Sequence, residues 1–352
     1  MKRVLVSSVL VGALTTAVHG AATLTPLVGF GGPDGWLSPA DYAPLATDNT
    51  ARGMAFNPVS GNLLVATRSG ATALRVLNAA SGAELSTMNV TGVAGGTFAL
   101  NMIDVASDGA IFGGNLTVSA AANFKVYRWA NQAAAPTVAY DALSGLARTG
   151  DSFAVVGAGA STRIAASGTN TVAASNFAAL TTADGSSFTS TAVTSIAGTS
   201  TANNDYRLSL TFVDSDTLIG TQGTAGRVTS FGGVLADTIP LAGNQRLIDF
   251  ATIGGTPVLA VADTGTSVVS VFDITTPSSP SLLASGATIS GASVTNINGV
   301  GAVTWGPVSG LSATLYAMNT NNGIQAFTFT VPEPTTALLA GLGLLGFLRR
   351  CR

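Results

Sequence analysis

Between its two apolar ends this chain contains no stretch with the 3.6-residue periodicity of a helix. Its apolar residues come in runs of four to eight, rich in β-branched side chains and bounded by Gly, Asn, Asp, Ser and Pro. Asn62 to Arg68 (NLLVATR), Phe124 to Ala130 (FKVYRWA), Val258 to Asp263 (VLAVAD), Ser267 to Ile274 (SVVSVFDI) and Ile324 to Val331 (IQAFTFTV) are examples. Such a chain is expected to be all-β.

The runs recur in pairs. Gly53 to Thr67 climbs to a Pro58-Val59-Ser60-Gly61 turn and returns, and Ala302 to Tyr316 does the same around Pro307-Val308-Ser309-Gly310. Similar two-strand units begin near Asn101 (NMIDVASDGAIFGGN), Gly145 (GLARTGDSFAVVGAG), Leu210 (LTFVDSDTLIGTQG) and Ile248 (IDFATIGGTPVLAVAD), each followed by one or two further strands. Anchored at Met54, Ile103, Leu146, Phe212, Phe250 and Val303, the units follow the period of β-propeller blades, about 40 to 50 residues. One step of 66 residues is the exception, and it contains the Ser/Thr/Ala-rich stretch Ala165 to Asn204. The expected fold is therefore a β-propeller with six blades and a long outer excursion; seven blades, or a β-solenoid or open sandwich, are the alternatives. Radial repetition protects strand edges, and Thr23 to Phe30 is placed to close the ring against the last blade.

The composition, 47% hydrophobic and 9% charged with mean hydropathy +0.46, resembles that of a membrane protein. The interior lacks apolar runs long enough to cross a bilayer, so the bias comes from the ends. Lys2 and Arg3, the apolar Val4 to Ala17 and the small residues around Gly20 have the order of a removed signal peptide, expected over residues 1–22 and processed by signal peptidase. At the other end Val331-Pro332-Glu333-Pro334 precedes an apolar run, Thr335 to Leu348, and then Arg349, Arg350, Cys351 and Arg352.

These last 22 residues resemble the PEP-CTERM sorting signal of exopolysaccharide-producing Gram-negative bacteria. The two prolines keep the segment before the apolar run extended. The run could enter the inner membrane transiently as a helix of roughly 21 Å, its terminal arginines held on the cytoplasmic side. The resemblance implies cleavage near Val331 to Pro334 by an exosortase and delivery to the cell surface, the outer membrane or the medium. The body is then residues 23–330 and the signal 331–352.

Removing both ends changes the charge and the chemistry. Net charge goes from −2 to about −6, and the only His (His19) and the only Cys (Cys351) are lost. Without them the body has no thiol nucleophile, no Ser-His-acid triad, and no zinc or copper site of the His/Cys kind. Its one lysine, Lys125, and nine arginines spread along the sequence argue against nucleic acid as a partner.

Two further resemblances concern fold. Val271-Phe-Asp273-Ile-Thr-Thr-Pro277-Ser-Ser-Pro280 is similar to the strand-turn motif of bacterial cell-surface propellers, and Asn57-Pro58-Val59-Ser60-Gly61-Asn62-Leu63 resembles secreted quinoprotein-type or lactonase-like propellers. The histidines of catalytic relatives have no counterpart in the body.

What remains for a site is carboxylate. Asp214 and Asp216, two residues apart, have a spacing used by calcium sites, but with no third acid and no Gly in the loop, turn chemistry is the expected role. Asp104, Asp249 and Asp273 recur in strand-like runs, where inner strands could turn them toward a central channel as a cation-binding ring; structural hydrogen bonding is the competing role. Tyr127 and Trp129 share a strand face, as a sugar platform would, although packing between blades is expected. Two functions follow: a non-enzymatic extracellular binding module contacting polysaccharide or surface proteins in a biofilm matrix, with no cofactor, or a propeller hydrolase or lyase using carboxylates and a cation such as calcium.

Overall fold

Antiparallel pairing joins each strand to its neighbours in sequence, and this local connectivity produces six separate sheets. The computed structural model describes residues 21–168, 175–194, 196–197, 205–287 and 291–332; of the expected signal peptide, residues 1–22, the first 20 lie outside them. The first sheet is Gly53–Asn57, Asn62–Thr67, Ala73–Asn78 and Glu84–Thr87, and four more repeat its plan. The innermost strands of blades 1 to 6 are Gly53–Asn57, Phe98–Val105, Ser152–Val156, Ser209–Phe212, Gln245–Ile253 and Gly301–Ser309. Each touches the next, and the sixth touches the first, so residues 22–331 form one closed six-bladed β-propeller.

The core is divided accordingly. Met54, Leu63 and Leu77 of blade 1 pack on Tyr316, Met318 and Ala326 of blade 6, while Leu64, Leu74 and Val76 pack on Ile103, Ile111 and Trp129 of blade 2. A blade thus shows apolar side chains on both faces, which is why its strands read as continuous apolar runs. Burying one such Leu or Phe contributes about 1.5–3 kcal/mol.

The ring closes through the N-terminal strand. Blade 6 has three consecutive strands, Gly301–Ser309, Ser312–Asn319 and Ile324–Thr330, and its fourth is Thr23–Pro26, paired in the register Leu24 with Phe329 and Pro26 with Phe327. The pairing expected of the segment beginning at Thr23 is therefore present.

Blade 3 departs from the reading of the sequence. The unit starting at Gly145 is not a hairpin, because its first strand is Ser152–Val156 and Leu146 packs in the core between blades 2 and 3. The cause lies in Thr149-Gly150-Asp151. Gly150 has φ +100°, and a Cβ there would lie 2.0 Å from the Asn115 carbonyl oxygen, so this is a tight crossing between blades. Asp151 is fully buried between Arg148 and Arg207. Nor is Ala165 to Asn204 an excursion: it supplies the end of Arg163–Ser167 and the outer strands Ser175–Thr182 and Phe188–Thr194 of the same blade.

Candidate functional site

The innermost strands enclose a channel with a cavity of about 570 Å³. Side chains alternate along a strand, and at alternate positions they line this space with apolar groups: Met54, Ile103, Phe153, Leu210, Ile248 and Val303 at one level, and Phe56, Val105, Val155, Phe212, Phe250 and Trp305 two residues on. The residue between those levels is Ala55, Asp104, Ala154, Thr211, Asp249 or Thr304.

Four of these six intervening side chains tie one blade to the next. Asp104 accepts a hydrogen bond from the Val155 amide at 2.6 Å, Asp249 from the Trp305 amide at 2.8 Å, Thr211 from the Phe250 amide at 3.3 Å, and Thr304 from the Phe56 amide at 3.3 Å. Asp104 also accepts its neighbour Val105 N–H at 2.8 Å; Asp249 accepts Phe250 N–H at 2.9 Å and the Thr211 hydroxyl at 2.6 Å. Each bond of this kind adds about 1 kcal/mol, more when the acceptor is ionised. Every oxygen of the two carboxylates therefore accepts a bond, one oxygen of each from the following blade, and the two acids belong to blades 2 and 5, on opposite sides of the ring.

Burial in the apolar wall pushes Asp104 up to about 7 and Asp249 up to about 6, against the amide bonds, which favour the charged forms. The unfolded chain releases these protons near pH 4. Between about pH 4 and 7 the folded state consequently holds more protons than the unfolded state, and stability falls as pH rises through that window. Both side chains keep a small opening to the channel, so the combined effect is a few kcal/mol at most, on the order of 2–4. Melting temperature is expected to decline from pH 5 to pH 8, and the Asp104→Asn/Asp249→Asn double variant should flatten that slope; an unchanged slope would refute the assignment.

The remaining acids lie apart. Asp214 accepts the amides of Asp216 and Thr217 at 2.7 and 2.8 Å in an exposed turn, and Asp216 pairs with Arg163 at 2.9 Å. Asp273 accepts Thr275 N–H at 2.7 Å in the turn of the Pro277–Pro280 motif. Among the described residues no group of three or more His, Cys, Asp or Glu is arranged to hold a metal ion. Tyr127 and Trp129 are buried between blades 1 and 2, donating to the carbonyls of Ala94 and Asn89, so no aromatic platform forms there.

Arginines distant in sequence come together instead. Arg52, Arg148, Arg207 and Arg246 each stand at or just before the start of an innermost strand, and Arg68 follows the second strand of blade 1, so all five reach one face of the ring. Only the register of the innermost strands reveals this grouping, and in blade 3 that strand begins at Ser152, not near Gly145.

Of the sorting residues, Val331 donates its amide to Leu311 at 2.8 Å and Pro332 is half-buried, whereas Glu333, Pro334, Arg349, Arg350 and Arg352 lie outside the described residues. No helix among the described residues is long and apolar enough to cross a membrane. Residues 330–352 match the PEP-CTERM protein-sorting motif, so the chain carries the signal of exported, exosortase-processed bacterial proteins found at the cell surface or outside the cell. No curated protein matches the chain. Among solved structures it is similar to a DUF4623 family protein from Bacteroides eggerthii DSM 20697, at 16% identity, TM-score 0.68, and coverage of 90% of this chain and 78% of that one. It is also similar to XC5397, a gluconolactonase from Xanthomonas campestris, at 14% identity, TM-score 0.50, and coverage of 89% and 91%. At such identities the likeness is one of fold.

Proposed function

We propose that the propeller is a non-catalytic binding module of the cell surface or extracellular matrix, contacting exopolysaccharide. In this reading residues 1–22 are removed on export, and exosortase acts near Val331 to Pro334 to release or anchor residues 23–330. The observation that carries it is the use of the channel acids. Asp104 and Asp249 are engaged by amides at opposite seams of an apolar channel, which suits structure, and a hydrolase needs free, converging carboxylates.

Protein recovered from an exosortase-containing host and applied to an array of bacterial polysaccharides is expected to bind without releasing reducing sugar. Product formation abolished by Asp104→Asn would favour the hydrolase or lyase reading instead. That reading also requires a cation. Titration with calcium to millimolar concentration is expected to leave the melting temperature unchanged, because Asp214 and Asp216 already serve turn amides and Arg163; a rise of several degrees would count for a calcium site.

A further inference from the structure

The face carrying the starts of the innermost strands gathers positive charge on a body that is otherwise acidic. Arg52 and Arg68 both stack on Phe98, with their guanidinium carbons 5.0 and 3.7 Å from the ring centre, and both donate to the carbonyl of Asn49. Arg148 and Arg207 stand near enough for their charges to act on Arg52, and both are bound to Asp151. Two guanidinium groups thus bind one buried carboxylate, whose charge also acts on Arg52, while Arg68 is acted on by Arg52 and by Asp48.

Arg52 is the decisive residue. It is only 6% exposed, yet among the described residues its sole hydrogen bond is from Nε to Asn49, so both terminal nitrogens lack an acceptor. Neither terminal nitrogen is among the buried polar atoms without a partner, so both reach solvent, where an anion can pair with them. Burial and the neighbouring guanidinium groups lower the affinity of Arg52 for its proton, although Asp151 opposes them; burial and then Arg52 push Arg68 down to about 10. On the same face, Arg246 has a buried Nε without a partner and lines a groove of about 310 Å³ with Asn244, Thr264 and Asn296.

We propose that this face binds an acidic polysaccharide, with Arg52 and Arg68 receiving a carboxylate of one sugar and the groove at Arg246 receiving a neighbouring one. The inference rests on the polysaccharide-binding reading above and specifies its ligand class. A guanidinium fork matches a planar carboxylate in a bidentate manner, and asparagine and threonine side chains suit sugar hydroxyls. Nucleic acid fits poorly. The body's one lysine, Lys125, is spent on Asp141, and its sixteen acids against ten bases repel an extended polyphosphate.

Protein recovered from the exporting host is titrated calorimetrically with alginate, free glucuronate, dextran and single-stranded DNA. The expected result is binding of alginate that weakens at least tenfold in Arg52→Gln and in Arg68→Gln and falls as salt rises, with free glucuronate binding more weakly. Arg68, in a loop and half-buried, supplies the variant if Arg52→Gln does not fold. Equal binding of dextran and alginate, indifferent to both substitutions, overturns the acidic ligand and leaves polysaccharide binding intact. Glucuronate binding as tightly as alginate, or DNA bound in preference through the same arginines, overturns the polysaccharide assignment. Absence of binding to either polysaccharide overturns both readings.

Discussion

Asp151→Ala is expected to destabilise the propeller by about 2–4 kcal/mol, toward the lower part of the range for breaking a buried ion pair because the arginines are partly solvated. Asp151 is fully buried and accepts two bonds from Arg148, at 2.5 and 2.7 Å, and one from the Arg207 Nε at 3.2 Å. Its hydrogen bonds to Arg148 are also the main reason that guanidinium holds its proton more tightly than usual. Removing the carboxylate leaves two cations facing each other between blades 3 and 4, next to Arg52. Urea denaturation measures the loss, and Asp216→Ala is the control, since its pair with Arg163 is solvent-exposed and worth a few tenths of a kcal/mol at most. Equal costs for the two variants would show that the buried cluster adds nothing beyond surface pairing.

Removing residues 22–27 is expected to have the larger effect, a loss of more than about 4 kcal/mol or of the soluble monomer. The strand Thr23–Pro26 provides the fourth strand of blade 6 from the far end of the chain, beside the short pairing of Trp36–Leu37 with Gln325 and Ile324. Without it, Ile324–Thr330 becomes a long open edge, and Phe327 and Phe329, almost wholly buried, lose cover from Leu24. Open edges of this kind pair with other chains, and several lost apolar contacts at about 1.5–3 kcal/mol each accumulate. Thermal unfolding and sedimentation of the truncated protein test this. A monomer melting within a few degrees of the intact chain would mean that the ring is held by its blade seams alone.

Much of the architecture could be read residue by residue. Runs such as Asn62–Thr67 and Thr256–Asp263 are strands because apolar, β-branched residues alternate between two buried blade faces, and Gly61, at φ +71°, permits the turn between the first pair. Asp108-Gly109 and Asp184-Gly185 likewise turn between paired strands, with both glycines at positive φ. Blade 3 is not legible in the same way, because Gly150-Asp151 has the composition of a hairpin turn but the role of a buried junction, and a junction is defined by partners 35 or more residues away, such as Arg207 and the carbonyl of Asn115.

The candidate site was legible only in part. Asp104 and Asp249 could be singled out as innermost-strand acids, yet their orientation toward seams depends on amides of Val155 and Trp305, each on the following blade. Nothing in the local sequence distinguished them from Asp273, which serves an exposed turn. The arginine face has no local signature, since successive members are 16 to 80 residues apart and each alone looks like a solvated side chain.

Strand content, the blade period, the sorting signal and the absence of His and Cys chemistry from residues 23–330 follow from local pattern and residue inventory. The register in which Thr23–Pro26 pairs with Ile324–Thr330, the use of the channel acids as ties between blades, and the gathering of Arg52, Arg148 and Arg207 about Asp151 were decided by closure of the ring. The physical reason is common to all three. Burial, desolvation and hydrogen-bond partnership are set by residues that closure of the ring brings together, and no local window of the chain contains both members of such a pair.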